Sequence, residues 1–234
     1  MLYITFLPSC FDAWYDFIDL FKDKSEVVLD QKNLSNDEVI RGLKQALDKG
    51  SNIAVTSLGK ENGFFTHPQF KIPMPEKLQT VESALRKLGQ DKIADEFILS
   101  MNRAAEKAVP KAATIFTNAI KAMSIKDAYG ILQGPDNAAT DYLKKTSGNE
   151  IYQAFLPIVK QATNRVGVTE NYKQLIDNLG VMSNFIDIES LDLDNYVTNR
   201  AVDSLFTLVA KEEKLIRSNP AARTTAILKK VFSE

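Results

Sequence analysis

Residues Ile98–Met123 read ILSMNRAAEKAVPKAATIFTNAIKAM, and the spacing of their side chains decides the fold. At about 100° per residue, Ile98, Met101, Ala105, Ala108, Val109, Ala112, Phe116, Ala119 and Ile120 form one continuous apolar arc. The arc predicts a long helix from Gln90 to Met123. Pro110 should bend or divide it, because its ring removes a backbone donor and crowds the preceding turn. Asn102 falls inside the arc, with Asp95 and Glu106 along its edge. Burying an amide or a carboxylate without partners costs roughly 1–3 kcal/mol or more. These groups should therefore have partners, and where they meet them is a candidate site.

Outward from this segment the chain keeps reading as helix. Ser35-Asn36-Asp37-Glu38 is a capping box opening a helix from Asn36 to Leu58, with Val39, Leu43, Leu47 and Ile53 near one face. Gly59 to Pro75 is the longest irregular stretch. Within it Lys71-Ile72-Pro73-Met74-Pro75 should be extended, since residues before proline avoid the helical region. A helix from Glu76 to Leu88 stops at Gly89. Ser124-Ile125-Lys126-Asp127 caps a helix ending near Gly134, and Asp136 caps another through Thr146. Asn149 to Val166 forms a further helix with Pro157 as a kink. A shorter helix at 170–180 and an acidic loop from Phe185 to Leu193 precede the last helices, Asp194–Ser218 and Pro220–Phe232. No alternating strand pattern is strong, and no period of roughly 20–50 residues repeats. The expectation is an all-α, single-domain multi-helix bundle with one long Pro-kinked helix and a long C-terminal helix.

That domain should span residues 34–234. Residues 1–33 read instead as an N-terminal apolar segment and a short amphipathic helix. In the latter, Phe11, Trp14, Phe17 or Ile18, and Phe21 oppose Asp12, Asp16, Asp19 and Asp23. Its acidic polar face disfavours anionic lipid, so it should dock on the domain or on a partner chain. Met1–Cys10, MLYITFLPSC, ends in Leu7-Pro8-Ser9-Cys10, which resembles the cleavage box of bacterial lipoprotein signals and makes Cys10 a lipidation candidate. The run is shorter than an export signal and lacks its basic region. Either a basic segment precedes Met1, or these residues begin a cytoplasmic chain.

Composition removes several classes of function. A formal net charge of −1 argues against nucleic acid as a partner. No stretch approaches the roughly 20 apolar residues of a membrane span. Cys10 is the only cysteine and His67 the only histidine, which removes intrachain disulfides, cysteine clusters and multi-histidine metal sites. No nucleophile motif surrounds His67, so an exposed loop histidine is its simplest reading. Asp187–Asp194 lacks the glycine and terminal glutamate of a calcium loop, and Gly59, Gly63 and Gly89 make no phosphate-binding fingerprint. Asp127 with Lys144, Lys145 and Thr146 fits an anion site at a helix end, or ordinary caps and solvated lysines. No metal and no cofactor is expected.

The last long helix repeats the oddity of the first. Val197, Ala201, Leu205, Leu208, Val209, Leu215 and Ile216 define its apolar arc, with Glu212 in the middle and Glu213 at the edge, four residues from Arg217. If the two faces meet, Asn102, Glu106 and Glu212 form a buried cluster, and Arg103, Arg200 or Arg165 is needed to balance it. Two readings stand. One is a network that fixes helix register. The other is a pocket in which a carboxylate works as acid or base, or a carboxylate pair holds a hard cation.

The motifs also add up to a resemblance. Ile72-Pro73-Met74-Pro75, Ser100-Met101-Asn102-Arg103-Ala104-Ala105-Glu106, and Asp127-Ala128 with Ile131-Leu132 and Gly134 carry its first part. Ala138-Ala139-Thr140-x-Tyr142, Asp194-x-Tyr196-Val197-Thr198, and Glu212-Glu213 with Ile216-Arg217 and Pro220 carry the rest. Together, from Leu34 to the C-terminus, they resemble the domain of unknown function 4197, a family found mainly in Gram-negative bacteria and often carrying export signals. The resemblance implies an all-helical protein facing the envelope, periplasmic or anchored to it, and brings no catalytic residues. The chain departs from the family in its first 30 residues. The expected function is a binding or interaction module for a protein partner or small apolar ligand. The alternative is a hydrolase-like enzyme with Glu106 and Glu212 as acid and base and Asn102 positioning the substrate. An enclosed, reachable cavity lined by those three residues separates the two.

Overall fold

Helices account for nearly all the regular structure because apolar residues recur at helical spacing along each segment. The structure, a computed structural model, describes residues 36–165 and 192–219. Its α-helices are α1 Asn36–Gly59, α2 Gln79–Lys87, α3 Asp91–Ala108, α4 Ala112–Ala122, α5 Ile125–Leu132, α6 Ala138–Arg165 and α7 Leu193–Ser218. The described residues contain no strand. Cys10, the helices expected at 11–23, 170–180 and 220–232, the cap expected at Ser35 and residues 185–191 of the expected acidic loop lie outside the described residues.

The local signals act where the spacing puts them. Pro110 divides the expected long helix into α3 and α4 through one 3-10 turn, Val109–Lys111. Gly89, at φ 73°, ends α2: its N–H reaches Arg86 O, and that of Gln90 reaches Leu85 O, so the last carbonyls find donors. Ser124 and Asp127 form a reciprocal capping box on α5, which spends Asp127 as a cap.

One boundary differs. Two helices were expected, through Thr146 and from Asn149, but α6 runs unbroken from Ala138 to Arg165. Ser147 donates to Leu143 O within the helix. The bare Gly148 surface faces the Phe206 ring, which a Cβ there would meet at 3.8 Å. The Ser-Gly pair thus packs within a continuous helix rather than stopping it, with Ser147 buried and Gly148 beside Phe206.

The most extensive packing joins α6 to α7, then α3 to α6, while α1 lies against α4 and α7. One contiguous set of buried side chains runs from Ile40 to Val209. Phe116 and Phe206 meet edge to face at 5.7 Å within it. The irregular segment from Lys60 to Pro75 crosses the edge of this core and buries Phe64, Phe70, Ile72 and Met74. A loop packed this deeply must find partners for its backbone.

Candidate functional site

The partners of the loop backbone explain the polar residues on α3. Every non-proline N–H from Gly63 to Ile72 has an acceptor. Gly63 donates to Lys60 O, Thr66 to Asn62 O, and His67 to Phe64 O. Phe64 and Phe65 both donate to Glu106 Oε1, at 3.1 and 3.3 Å. Gln69 and Phe70 donate to His67 Nδ1, at 3.1 and 3.3 Å. Lys71 donates to His67 O at 3.1 Å. Ile72 donates to Asn102 Oδ1 at 2.9 Å, and the Asn102 amide returns a bond of the same length to Ile72 O. Asn102, fully buried, thus pairs with both polar groups of one residue, as a neighbouring strand would. Its second amide hydrogen reaches Ile98 O.

Arg103 completes this network. It donates to Glu106 Oε2 at 2.6 Å and to Glu61 and Asn62 at 3.1 and 2.9 Å. Asn62 holds the left-handed conformation, φ 63°, that asparagine tolerates. Gly63 follows because a Cβ there would lie 2.5 Å from the carbonyl oxygens of Ser57 and Leu58. The chain can therefore turn back sharply after α1 and hand two consecutive N–H groups to Glu106.

A second carboxylate repeats the arrangement at the start of α6. Glu213 Oε1 accepts from the N–H of Ala139, and Oε2 from the N–H and hydroxyl of Thr140, each at 2.8 Å. These N–H groups belong to the first turn of a helix, whose dipole favours an anion. Arg217 donates to Glu213 Oε1 at 3.1 Å and to Ile131 O at 2.7 Å, tying α5, α6 and α7 together. A cleft of about 30 Å³ lies beside it, lined in part by Leu47, Gly50, Ser51, Ala139, Glu213 and Arg217. That volume holds about one or two waters, well short of a substrate.

The residues expected to meet therefore fall into separate groups. Asn102, Arg103 and Glu106 share the loop network, and Glu213 and Arg217 share the helix-end network. Arg200 is exposed, with its guanidinium 5.6 Å from the Tyr196 ring, and pairs with neither carboxylate. Asp95 is also exposed and bonds Arg86 at 2.8 Å. The side chain of Arg165 lies outside the described residues.

Glu212 joins neither network. The buried row on α7 steps by four residues through Val197, Ala201, Leu205, Val209 and Glu213. Leu208, Leu215 and Ile216, only partly buried, had drawn the expected arc toward Glu212. A four-residue row drifts about 40° per step around a helix, so its end lies off the arc defined by all the apolar residues. Thr140 and the loop N–H groups could not be found from side-chain patterning at all.

Glu212 is half-buried, its Oε2 has no hydrogen-bond partner among the described residues, and burial pushes its carboxyl above the usual range. Its folded state holds the proton more tightly than the unfolded chain. Stability is then full below the unfolded glutamate range and declines as pH rises through the folded value. Glu212→Gln should raise neutral-pH stability by about 0.5–1 kcal/mol after solvent screening is allowed for. The gain should shrink toward zero in acid. Thermal melts at pH 7 and pH 4 check it, and an equal gain at both would contradict the assignment.

No curated protein and no solved structure matches the chain. The motifs around Asn102, Glu106, Thr140 and Glu213 nonetheless fall inside one known sequence family. The family model described as Protein of unknown function (DUF4197) matches residues 33–233, nearly the whole chain, and the chain belongs to that family.

Proposed function

We propose that this protein is a non-catalytic interaction module of the bacterial envelope, with the segment from Lys60 to Pro75 as its contact surface. The observation that carries this reading is that every non-proline N–H from Gly63 to Ile72 is bonded, five of them by the side chains of Asn102, Glu106 and His67. A loop anchored this fully keeps its shape when a partner meets it, so little ordering entropy is lost on binding. Glu106, a candidate acid or base in the hydrolase reading, has both oxygens occupied by loop N–H groups and Arg103. General acid–base catalysis requires a carboxyl that can reach the proton it moves. This engagement of Glu106 supports the binding reading over the hydrolase reading, which needs that carboxyl free to exchange a proton.

The family resemblance and Leu7-Pro8-Ser9-Cys10 support the envelope assignment, with a lipid anchor on Cys10. One in-cell experiment tests both parts. A photo-crosslinking residue at Thr66, exposed on the loop, is compared with one at Glu150, exposed on α6. The expected result is a discrete adduct from position 66 and none from 150. Intact-mass measurement of the same purified chain should show cleavage before Cys10 and an added lipid. Adducts from 150 alone would overturn the contact surface, and an unmodified Cys10 behind an intact residue 1–9 segment would overturn the anchor.

A further inference from the structure

We infer that the face of this loop around His67, Lys60, Lys71 and Lys211 binds a carboxylate-rich segment of a partner protein. The inference rests on the interaction-module reading and names the chemistry of the partner. Because His67 Nδ1 accepts two backbone N–H groups, that nitrogen carries no proton, and the neutral ring presents its N–H at Nε2. Burial, Lys211 and Lys60 hold the imidazole below its usual pKa, in that order of weight. Both ammonium groups thus act on the ring, and it stays a neutral donor among cations.

Aromatic rings seat two of the lysines. His67 lies against Phe70 with centroids 4.4 Å apart. Lys211 sits over Phe70 at 5.2 Å while bonding Gln69, and Lys71 sits over Phe65 at 4.7 Å. Lys60 is exposed and forms no ion pair among the described residues. The nearest acid in sequence, Glu61, is paired with Arg103 instead. Cations spaced over an aromatic floor match several carboxylates along an extended segment.

A phosphate group fits this face less well. Tight phosphate sites use free backbone N–H groups at a helix start or nest. Here every N–H from Gly63 to Ile72 is already donated internally. What remains is three ammonium groups and one imidazole N–H, which suit carboxylate side chains.

The single histidine makes the test direct, because one imidazole spectrum reports one site. The ring nitrogens of the full chain are followed by NMR during titration with a ten-residue Asp/Glu peptide. Parallel titrations use the matching Asn/Gln peptide, inorganic phosphate, and vesicles containing an anionic phospholipid. The acidic peptide should shift the Nε2 signal and raise the His67 pKa, since nearby carboxylates favour imidazolium. Combined Lys60→Gln and Lys211→Gln should weaken that binding about tenfold, with melting lowered only by the small loss of the Lys211 contacts to Phe70 and Gln69. An equal response to phosphate or the Asn/Gln peptide, a response to vesicles alone, or silence at millimolar acidic peptide would each overturn the inference. If Thr66 still crosslinks while the peptide is silent, only the acidic chemistry falls; if both fail, the contact surface falls with it.

Discussion

Glu213→Gln should destabilise the protein by about 3–5 kcal/mol, the range for breaking a buried, fully bonded charge. For a chain of this size that corresponds to roughly 6–20 °C in Tm. The size follows from how the two oxygens are used. Oε1 accepts from Ala139 N–H and Oε2 from Thr140 N–H and hydroxyl. A glutamine must turn its NH2 toward one of these donors in either orientation. Two N–H groups then face each other in a site where Glu213 is only 8% exposed. Thr140→Val, which removes only the hydroxyl donor, should cost about 1 kcal/mol. Chemical denaturation of the three proteins checks the ordering. If Glu213→Gln costs no more than Thr140→Val, the carboxylate does not hold the start of α6.

That residue also marks how far the sequence could be read. Helix positions, the division at Pro110, the stop at Gly89 and the box at Ser124 were legible because each depends on local sterics or a cap within four residues. Asn102 was legible as buried, since one polar residue interrupts an otherwise apolar arc. Its partner was not. Ile72 is 30 residues away in an irregular segment, and the bonds run to backbone, which carries no residue-specific signal. Glu106 and Glu213 share a pattern that could have been sought: a buried carboxylate on a helix with an arginine three or four residues away. The spacing shows a pair but cannot show that each carboxylate also collects consecutive N–H groups. The break expected between Thr146 and Asn149 does not occur, because a Ser-Gly pair that ends a helix and one that continues through it look alike in sequence.

Asn102 and Glu106 should separate by which substitutions the loop tolerates. Asn102→Ala should cost about 2–4 kcal/mol, because it strands the N–H and carbonyl of Ile72, itself 1% exposed. Asn102→Asp should be no better: its carboxylate can accept from Ile72 N–H but sets a second oxygen against Ile72 O. Glu106 differs because one oxygen, Oε1, accepts both loop N–H groups, while Oε2 takes only Arg103. Glu106→Gln can keep its carbonyl toward Phe64 and Phe65, and Arg103 retains Glu61 and Asn62. It should therefore cost about 1 kcal/mol, against about 3 kcal/mol for Glu106→Ala. Hydrogen exchange resolves the two anchors along the loop. In Asn102→Ala the amide of Ile72 should exchange faster, and in Glu106→Ala those of Phe64 and Phe65, before the core helices open. Uniform acceleration across α6 and α7 in either variant would mean that these residues hold the whole bundle, leaving the loop without an anchor of its own. A loop released at Ile72 should also lose its adduct from Thr66, because a contact surface that depends on rigidity fails when its anchor does.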